Sequence, residues 1–316
     1  MTQPLFDVLK AGMLTTVQDR GRYGYQEYGV GPAGAMDEFS LQLGNILLGN
    51  ERNAAGLEIT MMGPELKALS DTVIAITGGD LSPSIDGQKV ETWKSIEIKK
   101  DQVLAFGSPK TGIRAYLCVA GGFHVPEIMQ SRSTYMKASL GGYEGRALEK
   151  GDRLNGFENS AQQGLIGRLP HYDLIPAYEK DVTLRVIEGP HHQAFTNASV
   201  ETFFSTPYKV TPQADRMGYR LEGATLKHIE RADIISEAIP FGGIQVPANG
   251  QPIILMADRQ TTGGYTRIGT IISVDLPLTA QLKPGNTVSF ERISIEQAQA
   301  LYREREQLLR TLEKVE

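Results

Sequence analysis

The chain has 316 residues, 41% of them hydrophobic and 22% charged, with a formal net charge of −5. At roughly 150 residues per domain this length suggests about two domains, and the composition excludes a disordered chain. No apolar run approaches the roughly 18 residues of a membrane helix, and interspersed charges without a basic stripe argue against a nucleic-acid partner.

The single cysteine, Cys118, excludes a disulfide framework and a cysteine zinc cluster. Residues 1–13 contain Asp7 and lack both a basic and an apolar segment, so no signal peptide and a cytoplasmic location are expected.

In chain order, the first clear element is a helix over residues 36–48. Met36, Phe39, Leu43, Ile46 and Leu47 recur at helical spacing, Asp37 lies near the start, and Gly49-Asn50 supplies the stop. Residues 72–77 and 113–120 follow as short, β-branched apolar runs that stop at glycine pairs, and 252–257 and 269–274 repeat the pattern. Runs of this kind predict buried strands. At the C-terminus, Ser294 to Gln297 has capping-box spacing, and Ala298, Leu301, Leu308 and Leu312 continue one helical face. The fold class expected is mostly β, a barrel or sandwich with few helices. Turn-then-strand segments at 99–106, 148–154 and 282–290 echo one another and suggest two related halves. The polar stretch 157–180 holds the boundary, placed so that 1–160 and 161–316 form two β-rich domains whose barrels can interleave.

Several motifs are decoys. Gly29 to Gly34 matches G-x-G-x-x-G, but no buried strand precedes it and Pro32 removes a backbone donor, so a turn is expected. There is no Gly-Lys dipeptide and hence no P-loop, so ATP would bind unconventionally or on another chain. Tyr135-Met136-Lys137-Ala138 lacks the second Met of a biotin carrier, and no biotin is expected on this chain. His191 and His192, as strand neighbours, would face opposite ways and cannot chelate one ion; no metal site is expected.

What remains are Asp-Arg pairs set among glycines: Asp19-Arg20-Gly21, Asp215-Arg216-Met217-Gly218, and Asp258-Arg259 followed by Gln260, Thr261, Thr262, Gly263, Gly264 and Tyr265. A hairpin from Gln245 through Asn249 and Gln251 back to Asp258 would gather amide, carboxylate and guanidinium groups around one rim. Such groups suit a small polar substrate with an amide and a carboxylate, because an amide side chain matches both edges of an amide and arginine grips a carboxylate bidentately. The catalytic candidates are Asp258, Arg259, Asp215 and Arg216. The substrate-binding candidates are Asn249, Gln251, Gln245, Gln260, Thr261, Thr262, Tyr265, Arg220, Asp19 and Arg20. The alternative for each pair is an internal salt bridge bracing a turn.

Thr16 to Arg22, Gly29-Val30 with Gly34 to Asp37, Leu57-Glu58, Asp215 to Leu221 and Gln251 to Gly264 together resemble the family of the C-type subunit of 5-oxoprolinase, also called the KipI-antagonist or allophanate hydrolase subunit 2 family. The resemblance runs from about residue 5 to 290. It implies two cyclophilin-like β-barrel domains related to half of a biotin-dependent carboxyltransferase. It also implies two partner proteins of 5-oxoprolinase, the KipI-like B type and the A type. With this chain they hydrolyse 5-oxo-L-proline to L-glutamate at the expense of ATP, with magnesium. Arg259 or Arg216 would then stabilise charge developing on oxygen, and Asp258 or Asp215 would position water or orient the arginine. Two other functions follow from the same resemblance: a KipI-antagonist that binds an inhibitor of a sporulation histidine kinase, and a carboxyltransferase half acting on an amide such as urea.

Overall fold

The computed structural model describes residues 2–158 and 162–314. The chain divides into two compact units: Met1–Tyr23, Ala33–Tyr178 and Leu309–Glu316 form the first, and Gly24–Pro32 with Glu179–Leu308 the second. The boundary expected between residues 160 and 161 lies outside the described residues, and the main division falls at 178/179.

The first unit is built on two antiparallel sheets, of seven and five strands. In the larger, Thr2–Lys10 pairs with Arg153–Phe157 and with Glu65–Ala68. In the smaller, Thr111–Val119 lies between Gly56–Thr60 and Thr72–Asp80. Phe6, Val8, Leu66, Leu104 and Leu154 meet Val17, Leu57, Ile59, Ile76 and Leu117 in one buried core. The opposite face of the smaller sheet is covered too: Val73, Ala75, Tyr116 and Cys118 pack with Leu41 and Leu47 of the helix Glu38–Leu47. A strand buried on both faces needs apolar residues at every position, which is why 72–77 reads as an unbroken run rather than an alternation. Asp37 caps that helix, its Oδ1 accepting from Ser40 N at 2.9 Å.

The second unit is a closed seven-stranded barrel. Closure comes from the parallel pairing of Asp181–Glu188 with Thr287–Arg292, and it leaves no open edge in that sheet. Leu184, Val186, Tyr208, Tyr219, Ile244, Ile254, Ile268 and Val288 are fully buried within this unit. A separate two-stranded ribbon joins Asp233–Ala238 to Thr262–Tyr265. The short helix Asn197–Ser205 has no counterpart among the sequence expectations. Its apolar residues are too few to set up a helical period, and it is fixed instead by Thr196, whose Oγ1 accepts from Ser199 N at 3.2 Å, and by Phe203 stacked on Phe290 at 4.4 Å. The C-terminal helix Ile295–Lys314 begins with the expected reciprocal cap: Ser294 N donates to Gln297 Oε1 at 3.1 Å, and Gln297 N to Ser294 Oγ at 3.2 Å.

No helix among the described residues is long and apolar enough to cross a membrane. Cys118 is fully buried, and burial pushes its thiol well above the usual range. A thiol reagent should leave the native protein unlabelled and modify one cysteine only after denaturation; stoichiometric labelling of the native chain would contradict the packing. Phe203→Ala should cost about 3–5 kcal/mol in urea unfolding, as emptying a fully buried aromatic site usually does.

Candidate functional site

In the second unit, Arg216 and Asp258 form a two-pronged ion pair: Nε donates to Oδ2 and Nη2 to Oδ1, each at 2.9 Å. Both side chains are buried, and the main chains join as well, Asp258 N donating to Arg216 O at 2.7 Å. The strand register explains the pairing. Gly218 lies opposite Leu255, so the residues just before the one and just after the other meet. Two charges withdrawn from water need each other's hydrogen bonds, and both carboxylate oxygens are spent on the arginine.

Arg259 is buried beside this pair. Its Nε donates to Ile239 O at 2.9 Å, its Nη1 to Met256 O at 3.3 Å, and its guanidinium lies 5.5 Å from the Phe241 ring centroid. Ile239 N in turn donates to Thr261 O at 3.2 Å, so the 258–265 run folds back over the arginine. Gln245 meets the far part of the same run, donating from Nε2 to Tyr265 O at 3.4 Å, beside Gly263. Arg216 and Asp258 are thus in direct contact, Arg259 reaches Thr261 through Ile239, and Gln245 reaches the run at Tyr265. Gln260, Thr262 and Tyr265 carry exposed side chains on this run.

The other candidates lie elsewhere. Gly243–Gln245 and Ile253–Leu255 do pair as the expected hairpin, with Gln245 opposite Ile253. The hairpin does not place Asn249 and Asp258 on one rim, however. Asn249 lies in the turn before Ile253, and Asp258 lies beyond Leu255, at the opposite end of that strand. Asn249 is exposed, and its Oδ1 accepts from Gln251 N at 3.1 Å. Gln251 spends both edges of its amide on Gly223, accepting from its N–H at 2.9 Å and donating to its carbonyl at 3.2 Å. Asp215 is exposed, and one of its oxygens accepts from Met217 N and Gly218 N. Arg220 is exposed opposite Ile253, at the Asn249 end.

Asp19 and Arg20 belong to the first unit. Asp19 is fully buried and accepts hydrogen bonds from Gly21 N, Ser131 Oγ, Arg132 N and Ser133 Oγ, at 2.8, 2.7, 2.6 and 2.5 Å. Arg20 is half-buried, with Nε 3.4 Å from Glu38 Oε2. Arg22, two residues further on, is also fully buried; its Nε donates to Ile128 O and its Nη2 to Ser133 O, both at 3.0 Å. Burial lowers the Arg22 pKa, and Asp19 partly restores it.

A second buried polar network in this unit was not assigned a role from the sequence. Glu58 Oε2 accepts from Tyr116 Oη at 2.7 Å and from Met36 N at 2.8 Å, and Asp37 N donates to Tyr116 Oη at 2.8 Å. Burial raises the Tyr116 pKa, and Glu58 adds to the rise, so the phenol stays protonated as a donor. Leu57-Glu58 and Asp37 stood in the sequence pattern, but Tyr116 sits in an apolar run and reads as core. Among the described residues no group of three or more His, Cys, Asp or Glu is placed to hold a metal ion.

Residues 28–292 match the family described as carboxyltransferase domain, subdomain A and B, and the chain belongs to that family. Within it, the chain is 38% identical over 302 residues to the C-type subunit of 5-oxoprolinase from Haemophilus influenzae, covering 96% of each chain. It is likewise 38% identical over 298 residues to the C-type subunit of 5-oxoprolinase from Escherichia coli K12, covering 93% of each. Its fold superposes on the crystal structure of K. lactis urea amidolyase with a TM-score of 0.90 at 32% identity, over 98% of this chain and 20% of that larger one.

The Arg216–Asp258 pair gives a prediction. Arg216→Met leaves a carboxylate buried without its partner and should cost about 3–5 kcal/mol in urea unfolding. The double variant Arg216→Met/Asp258→Leu should recover much of that loss. A single variant as stable as the wild type would show that the pair is solvated and unimportant to folding.

Proposed function

We propose that this chain is the C-type subunit of an ATP-dependent 5-oxoprolinase complex, which with its A-type and B-type partners hydrolyses 5-oxo-L-proline to L-glutamate. The observation that carries this reading is the 38% identity, along 96% of both chains, with a 5-oxoprolinase polypeptide of that type. The chemistry is compatible. An unstrained lactam carbonyl is a poor electrophile, and transfer of the γ-phosphoryl group of ATP to its oxygen creates a leaving group. Water then attacks the ring carbon, the C–N bond opens to release the amino group and leave an acyl phosphate, and a second water displaces phosphate to give the carboxylate of glutamate.

In this reading Arg216 and Asp258 act as positioning residues, since each satisfies the other, and Arg259 holds the 258–265 run in place through Ile239. Gln260, Thr262 and Tyr265, whose side chains are exposed, meet the substrate or the neighbouring polypeptide. ATP and its magnesium ion are assigned to the assembled complex rather than to this chain alone, and the cytoplasm, where ATP is available, is the compartment proposed.

A second reading is favoured by the family itself and by the superposition on urea amidolyase: a carboxyltransferase half that acts on an amide such as urea, with biotin on a separate carrier. One reconstitution separates the two. Glutamate release from 5-oxo-L-proline should require this chain, its A-type and B-type partners, and ATP, and should be undetectable with this chain alone. Release that proceeds unchanged when this chain is left out would overturn the first reading. Release that depends on bicarbonate and a biotin carrier would replace it with the second.

A further inference from the structure

We propose that the two-stranded ribbon of the second unit is a docking edge for an extended, basic segment of another polypeptide, which adds a third strand beside Asp233–Ala238. That strand has one strand neighbour, Thr262–Tyr265, and its opposite edge meets no strand among the described residues. The barrel of the same unit is closed and offers no edge to a peptide, which leaves the ribbon as the place where a strand can be added.

The open stretch is short and well defined. Thr266 N donates to Ala232 O and Ile239 N to Thr261 O, which anchors the inner edge of the ribbon at both ends. Between those anchors the backbone groups of alternate residues turn to the outer edge. At Ala238 the carbonyl is already met, Arg267 Nη1 lying 3.5 Å from it, so the free part runs over residues 233–236. Ile235 stands in this part and is 94% exposed, more than any other large apolar side chain among the described residues. Beside it lies a hollow of about 490 Å³ whose lining includes Ala194, Ile229, Ile234, Ile235 and Thr266. An unpaired backbone edge next to an apolar hollow is the arrangement by which a sheet takes up a peptide. Main-chain hydrogen bonds hold the peptide, and the hollow receives one of its alternate side chains.

Charge selects the occupant. Glu230 and Asp233 edge the hollow against the single guanidinium of Arg231, while Glu237 is held by Arg267 Nη2 at 3.3 Å. A second copy of this chain would set that excess of carboxylate against its own image, and like charges facing each other destabilise a strand pair. A segment with an apolar residue flanked by lysine or arginine suits both the hollow and the carboxylates. That the segment belongs to the B-type partner rests on the function proposed above. The other strand of the ribbon carries Thr262 and Tyr265, whose exposed side chains that reading gives to the substrate or the neighbouring polypeptide.

The test is binding of the purified chain to the purified B-type partner, read by calorimetry and hydrogen exchange rather than by turnover. Amides within residues 233–236 should exchange more slowly in the complex than in the free chain. Ile235→Lys, which sets a cation against the basic segment, and Asp233→Lys should each raise Kd at least about 10-fold. Both side chains are exposed, so the melting temperature should be unchanged. A complex with unaltered exchange at 233–236, or with an affinity that neither substitution changes, would overturn the docking edge and leave the proposed function standing. Absence of any complex would overturn it too, while turnover by the three proteins decides the function separately. Self-association of this chain that Ile235→Lys abolishes would give the edge to a second copy and contradict the assignment.

Discussion

A carboxylate that leaves water must be met by donors, and the turn at residues 18–22 exists in its observed form because Asp19 is met by four. Two come from serine hydroxyls and one from a backbone amide in the distant segment 131–133, and one from Gly21 in its own turn. The same contact carries Arg22 into the interior, where it binds the carbonyls of Ile128 and Ser133. Asp19 offsets part of the cost that burial places on the Arg22 charge, so removing either leaves the other less compensated in a low-dielectric surrounding. Gly141 fits against this cluster only because it has no side chain: at φ +67° its Cβ would meet Ser133 O and Arg22 Nη2 at 2.3 and 2.6 Å.

The second unit solves the same problem with Arg216 and Asp258. There the strands bring the two residues together, and closure of the barrel fixes the strands. Buried charges held by hydrogen bonds in this way specify geometry more than they add stability.

Much of the fold was legible. The helix at Glu38–Leu47, the terminal capping box and the four apolar strands all follow from period, length and punctuation, because burial on one or both faces writes itself into the sequence. The hairpin between Gln245 and Ile253 was legible too, but not its consequence. Local spacing cannot say which end of a strand a residue reaches, and so Asn249 and Asp258 were expected on one rim although a strand separates them. The donors to Asp19 were out of reach for a related reason. Ser131, Arg132 and Ser133 lie more than a hundred positions away in an unremarkable polar stretch, and only the folded chain brings them to the carboxylate. Tyr116 and Glu58 were hidden differently, since a tyrosine inside an apolar strand carries no sign that its hydroxyl serves a buried glutamate.

The central claim is that the Asp19 carboxylate organises the segment from 128 to 145. Hydrogen exchange on Asp19→Asn, compared with the wild-type chain, tests it most directly. An amide in place of the carboxylate keeps the size but turns one acceptor into a donor facing donors. Backbone amides at 132–134 and 141–145 should then lose protection, while those of Thr72–Asp80 in the core of the same unit keep theirs. Unchanged protection at 132–134 in a folded variant would contradict the account.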